Sequence, residues 1–270
     1  MRVLSNYSVK ANIIIPTLVL GMGAIVVAGC QSGVAVEPNA IDTGDARIAS
    51  AKIAEGDQLY EKREDITKAR VAVAALRQAV TADYGNYEAA WKLSRACFYV
   101  GDHTTNGDEA DDMFRTGVEA GKAAVKLQSN KPEGHFWLGA NYGGEAKRST
   151  LASLSSIQDI KSEMEAVIKL DEKFQGGSAY LALGRLYLEA PKVLGGDISK
   201  ATEYLKKGLT ISPNNALMKY YMAEAYASAN KDAEAKKLIV EINEMTPDPQ
   251  FQAEHKDAVE KANKLMQKLG

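Results

Sequence analysis

The sequence has few of the residues on which catalytic and metal sites depend. It contains only two cysteines and three histidines. The histidines, His103, His135 and His255, are far apart in the chain, and no cysteine or carboxylate accompanies them at the spacing of a zinc site. A glycine-rich phosphate-binding loop and a nucleophile elbow are also missing. We therefore expect no metal, no cofactor and no catalytic site.

Clustered positive charge is missing as well. The 33 Lys and Arg residues are scattered among 35 Asp and Glu residues, which gives a formal net charge of −2. A chain without a basic block is not expected to bind nucleic acid. The carboxylates of segment 101–112 lack the spacing and the glycine of an EF-hand, so we interpret them as solvated charge or as acids at a helix start.

Only one long hydrophobic run occurs, and it lies near the start of the chain. Arg2 and Lys10 precede an apolar stretch that ends in Val27-Ala28-Gly29-Cys30. This order is typical of an export signal, although about 18 apolar residues could also span a bilayer. The final four residues resemble the lipobox of bacterial lipoproteins, a family in which the chain is cut before the cysteine and the cysteine is acylated. We expect residues 1–29 to be a signal peptide and Cys30 to carry the lipid; the alternative is a chance cysteine after an uncleaved anchor.

Two consequences follow for the mature chain. Once Cys30 is acylated, Cys97 is the only remaining thiol, so no internal disulfide can form. Cys97 should be a buried packing residue. Residues 30–45 are small and polar, which predicts a flexible tether after the lipidated cysteine rather than an ordered first strand.

From residue 46 onward, apolar residues recur at helical spacing and no strand-like alternation of useful length is present. The pattern Leu-Gly-x-x-Tyr begins at Leu138 and again at Leu183, 45 residues later. It is the first half of the 34-residue tetratricopeptide pattern, whose later part reaches Pro213 and, after a further 34 residues, Pro247. In this pattern a small residue lets two paired helices approach closely, and several pairs must stack to bury their apolar faces.

We therefore predict an all-α fold over 46–270, a solenoid of four to five tetratricopeptide-like helical hairpins with a C-terminal capping helix. The hairpins are expected at about 47–84, 87–132, 133–174, 177–213 and 216–247, with the cap at 250–268.

The hairpins depart from a plain repeat in their spacing. In the last hairpin, the small residue of the first helix, Ala223, and the matching residue of the second helix, Ala235, are 12 residues apart in the sequence. The corresponding spacing is 26 residues from Ser94 to Ala120 and 17 residues from Gly184 to Ala201. We assign the extra residues to the turns within hairpins, and expect segments 101–112, 143–154 and 189–197 to form a binding rim on one side of the solenoid. Loop drift without function is the alternative.

The stretches "WLGANYG" and "LGRLYLEAPKVLGGD", the lipobox and the chain length together resemble the T component of tripartite ATP-independent periplasmic (TRAP) transporters. The similarity covers nearly all of 46–250. It implies a non-enzymatic lipoprotein of the bacterial envelope that faces the periplasm and docks the transporter's soluble substrate-binding protein. It also implies a homotrimer around a central pore. Transport is implied by this resemblance alone, and not by composition or periodicity.

Polar groups beside aromatic residues on an inner helix would suit an apolar pocket with a few orienting contacts, whereas inserted segments would suit partner contact. On these grounds we select six candidates for contact with a ligand or partner: His135, Phe136, Asn141, Arg148, Arg185 and Lys192. The ligand would be a small hydrophobic molecule or a carboxylate. Two alternatives stay open: the six residues are ordinary core and surface residues, and the protein is a generic tetratricopeptide scaffold lipoprotein for an envelope assembly.

Replacing Cys30 by alanine should release the protein from the membrane or mislocalise it, because multiple acyl chains supply the anchor at about 0.8 kcal/mol per buried CH₂. Fractionation together with intact-mass measurement checks this. An unmodified Cys30, or a chain that still begins at Met1, would contradict the lipoprotein assignment.

Overall fold

A computed structural model describes residues 43–148, 152–247 and 252–270, and in these segments it contains eleven α-helices and no strand. The predicted signal peptide, Cys30 and most of the tether lie outside the described residues. The helices are α1 (Thr43–Tyr60), α2 (Ile66–Ala82), α3 (Tyr87–His103), α4 (Gly107–Leu127), α5 (Pro132–Arg148), α6 (Ala152–Leu170), α7 (Ser178–Glu189), α8 (Ile198–Ile211), α9 (Ala216–Ser228), α10 (Asp232–Glu244) and α11 (Gln252–Leu269). Short 3₁₀ turns occur at Phe174–Gly176 and Lys192–Leu194.

Consecutive helices pair into five hairpins, α1 with α2 through α9 with α10, and each hairpin packs on the next. Helix α11 packs on α9 and α10, where Ala258 and Ala262 are fully buried. The predicted all-α solenoid with a terminal capping helix is confirmed.

Polar side chains cap the N-termini of five of the described helices. The side chains of Asp65, Asn86, Asn106, Asp197 and Asn215 each accept a hydrogen bond from a backbone N–H in the first turn of the helix that follows. These bonds satisfy donors that have no partner inside the helix, and each cap stabilises its helix by about 1 kcal/mol.

The hairpin topology gives the solenoid two edges. Odd-numbered helices begin and even-numbered helices end at the inter-hairpin edge, which carries segments 83–86, 128–131, 171–177 and 212–215. The opposite edge, the hairpin edge, carries segments 61–65, 104–106, 190–197 and 229–231. The rings of Tyr60 and Tyr99, at the ends of α1 and α3, lie 5.9 Å apart. The N–H of Gly134, at the start of α5, donates to the hydroxyl of Tyr87 at the start of α3 over 3.1 Å. Neighbouring odd helices therefore run parallel.

Small residues sit where the helices of a hairpin meet. A Cβ added to Gly184 would lie 2.5 Å from Leu205 Cγ, so α7 and α8 can approach only because that position lacks a side chain. Gly139 and Met164 form the corresponding contact between α5 and α6. The matching Ala201 is fully buried, as the repeat pattern predicts.

Cys97 occupies the core position predicted for it. Its side chain is fully buried in α3, and this burial raises the pKa of the thiol to about 12. A thiol in such an environment is held in the unreactive protonated form.

The prediction that the extra residues form loops is wrong for two of the three rim segments. Residues 101–103 complete α3 and residues 107–112 open α4, with only 104–106 between them. Residues 143–148 belong to α5 and 152–154 to α6. The insertions lengthen the helices: α3 to α6 have 17 to 21 residues, whereas α9 and α10 have 13. Only the 189–197 segment remains a loop, at 190–197.

Alanine at two glycines should shift stability in opposite directions. Gly184→Ala should lower the free energy of unfolding by about 1–3 kcal/mol, because the new methyl group forces α7 from α8. Gly143→Ala is the matched control in a helix interior where an added Cβ meets nothing within 4 Å, so it should raise stability by up to about 1 kcal/mol. Urea unfolding followed by circular dichroism measures both; equal shifts would contradict the close-approach role of Gly184.

Candidate functional site

A half-open chamber of about 780 Å³ lies along the odd-numbered helices in the middle of the solenoid. Helices α5 and α7 supply the largest parts of its wall, α6 and α9 supply three residues each, and α3 supplies Phe98. Glu254 and His255, in the first turn of α11, close another part of it. The chamber reaches the inter-hairpin edge at Gln175 and the hairpin edge at Pro191. It has the size of a small-molecule site.

One wall of the chamber is aromatic. The ring of Trp137 lies 5.0 Å from that of Phe136 and 5.9 Å from that of Phe98, and Phe136 in turn lies 5.5 Å from Phe174. The indole Nε1–H of Trp137 is buried and finds no acceptor among the described residues. Gly143 keeps part of the same wall open, since a side chain there would enter free space. This wall suits an apolar ligand.

The hairpin-edge end of the chamber is charged. Arg185 Nε donates to Glu189 Oε1 over 2.6 Å, and its guanidinium lies 5.3 Å from the ring centre of Tyr221. Lys147 Nζ lies 3.7 Å from Asp102 Oδ1. Burial lowers the pKa of Lys147, and the neighbouring charge of Arg185 acts in the same direction. Each of these cations already has a carboxylate partner, and Glu254 also lines the chamber, so this end of the chamber carries charges of both signs.

Of the six candidate residues, Phe136 and Arg185 line the chamber and Lys192 is exposed beside it. The other three lie elsewhere. Arg148 donates to the carbonyl oxygen of Gly107 over 3.0 Å and pairs with Asp111, which ties the end of α5 to the start of α4.

Asn141 is fully buried between α3 and α5. Its amide nitrogen donates to the carbonyl oxygens of Ser94 and Trp137, over 3.0 and 2.8 Å. A Cβ at Gly117 would overlap it, so the residue joins three helices by filling a gap. This position is structural.

His135 bridges α5 and α6 and does not line the chamber. Its Nδ1 lies 2.6 Å from Glu163 Oε2 and its Nε2 lies 3.0 Å from the carbonyl oxygen of Ser129. Both neighbours offer acceptor oxygens, an arrangement that favours the protonated imidazole, in which both ring nitrogens donate. The hydrogen bond to Glu163 accordingly raises the pKa of His135, although burial opposes the shift.

Sequence reasoning missed several wall residues. Trp137, Tyr221 and Glu254 line the chamber but are not among the six candidates, and Glu254 lies in the capping helix, far in the chain from the other wall residues. The i,i+4 pair of Arg185 and Glu189 was a readable signal for a charged helix face. No sequence signal connects Glu254 with α5, since that proximity exists only after the solenoid has folded.

The loop 190–197 at the hairpin edge has a fixed shape. The carbonyl oxygen of Pro191 accepts hydrogen bonds from the N–H groups of Leu194 and Gly196, over 2.8 and 3.1 Å. A Cβ at Gly196 would lie 1.8 Å from the carbonyl oxygen of Ala190, so only glycine fits. Val193, at the tip, is 91% exposed. Pro191 and Leu194 face the chamber, so this turn presents an apolar side chain next to its mouth.

The described residues contain neither a membrane-spanning helix nor a metal-binding cluster. None of their helices is both long enough and apolar enough to cross a membrane. No group of three or more His, Cys, Asp or Glu side chains in these segments is arranged to hold a metal ion.

Comparison with known proteins yields a family and a fold. A family model described as TRAP transporter T-component matches residues 94–268. Among solved structures, a thermophilic tetratricopeptide protein of Thermus thermophilus is 17% identical with a TM-score of 0.58, covering 78% of this chain and 98% of its own. A structure of pilF from Pseudomonas aeruginosa is 14% identical with a TM-score of 0.54, covering 84% and 93%. At these identities the structures share the fold. No curated protein sequence matches.

The His135–Glu163 pair makes stability depend on pH. The folded pKa of His135 lies above the unfolded value of about 6.5, so the stabilisation is full below that value and is lost as pH rises through the folded pKa. His135→Gln should cost about 2 kcal/mol at low pH and progressively less at higher pH.

Urea unfolding of both proteins from about pH 5 to about pH 9 measures this difference. Glu163→Gln serves as the paired control, and the double variant should lose little more than either single variant. A difference that stays constant with pH would show that His135 is not held as a cation.

Proposed function

This chain belongs to the TRAP transporter T-component family, and on that premise we propose that it docks the transporter's periplasmic substrate-binding protein and holds a small ligand in its chamber. The protein would be a non-enzymatic lipoprotein of the bacterial envelope, attached through acylated Cys30 and facing the periplasm. A homotrimer, implied by the resemblance, is part of the same proposal.

The observation that carries the proposal is the position of the exposed 190–197 turn at one mouth of the chamber. Pro191 and Leu194 belong to both features, because they line the chamber and flank Val193 in the turn. A partner seated on the turn would therefore cover that mouth. Docking and ligand transfer would then occur at one place.

The chamber wall supports a ligand with an apolar body and an acidic group. The aromatic wall around Trp137 would bury the body, and such burial contributes about 25 cal/mol per Å². Lys147 and Arg185 would bind the acidic group at the opposite end. The terminal nitrogens of Arg185 make no hydrogen bond to the described residues, so they remain available for a carboxylate.

The turn itself supports a protein partner. Its hydrogen bonds hold Val193 in one position before contact, so little conformational entropy is lost on binding. Lys192 is exposed beside the valine. The matching partner surface would be a shallow apolar pocket with a neighbouring carboxylate.

Two variants separate docking from ligand holding. Val193→Glu places a charge at the proposed contact and should reduce capture of the substrate-binding protein by at least about tenfold, since a buried unpaired charge costs several kcal/mol. Gly143→Leu adds a side chain on the chamber wall at a position where the new Cβ meets nothing within 4 Å, and it should leave docking intact while the ligand is lost. Pull-down from detergent-solubilised envelope measures both effects: mass spectrometry of the proteins identifies captured partners, and mass spectrometry of organic extracts detects the ligand.

Each outcome tests a different part of the proposal. If Val193→Glu captures the same partners as the unchanged protein, the turn is not the docking site. If partners are captured but no organic ligand accompanies any form of the protein, the generic tetratricopeptide scaffold is the better description. Circular dichroism on each variant confirms that the solenoid remains folded.

A further inference from the structure

Among the described residues that line the chamber, Glu254 is the charged side chain without a partner. Lys147 lies beside Asp102, and Arg185 is paired with Glu189, so these four charges form two pairs. The carboxylate of Glu254 accepts no hydrogen bond and forms no ion pair with the described residues, although its Oε2 is buried. A partly desolvated carboxylate without a donor is costly, because folding removes water from it and supplies no replacement. The unpaired group therefore indicates a missing donor.

The place of Glu254 in the fold does not account for this state. The residue lies in the first turn of α11, and acids are common there because a helix N-terminus favours negative charge. Such acids are mostly exposed to water, as Glu234 is in the first turn of α10. Glu254 instead lines a chamber, part of whose wall is aromatic. Its carboxylate is therefore placed to meet a ligand.

The surroundings of Glu254 suit a cationic group. Burial raises the pKa of Tyr60 and of Tyr99, and the negative charge of Glu254 adds to both shifts, which places this carboxylate near the ends of α1 and α3. Phe98, next to Tyr99 in α3, lines the chamber, and its ring lies 5.9 Å from that of Trp137. Aromatic ring faces attract a cation within about 6 Å. A ligand cation on this side of the chamber would meet both a negative charge and aromatic rings.

The neighbouring cations of the protein do not neutralise this carboxylate by direct pairing. The guanidinium carbons of Arg95 and Arg63 lie 4.0 and 4.9 Å from the ring centre of Tyr60. Arg95 donates to Asp57 over 3.0 Å, and neither arginine forms an ion pair with Glu254. The carboxylate is therefore left for a group that enters the chamber.

We propose that the chamber ligand carries an ammonium group, which binds to Glu254 beside the aromatic wall. The inference rests on the proposed ligand-holding function and deepens it. Together with an acidic group at Arg185, the ammonium group makes the ligand a zwitterion with an apolar body, which is a compound of the aminocarboxylate class. A ligand with an acidic group alone would leave Glu254 unpaired.

Three probes with the same apolar body test the charged groups of the chamber separately. They are phenylpropylamine, phenylpropanol and phenylpropanoate, which are cationic, neutral and anionic at neutral pH. Binding of each probe to the detergent-solubilised full-length protein is measured by isothermal titration calorimetry, and titration into detergent alone is subtracted. The amine should bind about tenfold more tightly than the alcohol, because a hydrogen bond to a charged group contributes more than a neutral one.

Two variants should have opposite effects on these probes. Glu254→Gln keeps the shape of the side chain and removes its charge, so it should weaken binding of the amine about tenfold and leave the alcohol unchanged. Arg185→Gln is the matched control at the other charge, and it should weaken the carboxylate but not the amine. Gly143→Leu, which adds a side chain to the chamber wall, should weaken all three probes.

Stability provides a separate measurement. Ligand-free Glu254→Gln should unfold in urea at the same concentration as the unchanged protein, since no described residue pairs with the carboxylate. A loss of stability would show that Glu254 has a structural role, and would overturn the assignment.

The results distinguish this inference from the function on which it rests. If the amine binds no better than the alcohol, or if Glu254→Gln does not affect the amine, the ammonium site is wrong, while binding of the carboxylate still supports the ligand chamber. If no probe binds to any form of the protein, ligand holding by the chamber is wrong together with the ammonium site.

Discussion

The close approach of two helices at a residue without a bulky side chain is the contact on which the whole structure depends. Gly184 against Leu205 and Gly139 against Met164 set the distance within their hairpins. No single hairpin can bury its apolar face, so each must stack on the next, and every odd-numbered helix is brought to the same face. The chamber is a consequence of this stacking, because its wall is formed mainly by α5 and α7, two odd helices that stacking brings to the same face.

Much of the fold could be predicted from the sequence, because the glycine of the Leu-Gly-x-x-Tyr pattern is the residue at which the two helices of a hairpin come into close contact. The position of Cys97 in the core followed from the same register. Helix lengths could not be predicted from spacing alone, since a longer distance between Ser94 and Ala120 fits either a loop or two longer helices. The structure contains the longer helices, because Asn106 caps α4 only three residues after α3 has ended.

The candidate site was harder to predict, because its members meet only in three dimensions. Phe136 and Arg185 were identified from their neighbours in the chain. His135 and Asn141 carry the same kind of signal, a polar group among aromatics, yet their partners are Glu163 on α6 and Ser94 on α3. A sequence shows that a buried polar residue needs a partner, but it does not show whether that partner is protein or ligand.

Helix direction also decides where each connection lies. Odd-numbered helices begin and even-numbered helices end at the inter-hairpin edge, and α1, an odd helix, starts there. The 190–197 turn joins an odd helix to an even one, so it lies at the hairpin edge. A partner bound at this turn would therefore be separated from the start of α1, along the helix direction, by about the length of a helix, which is about 18 Å for the twelve residues of α7.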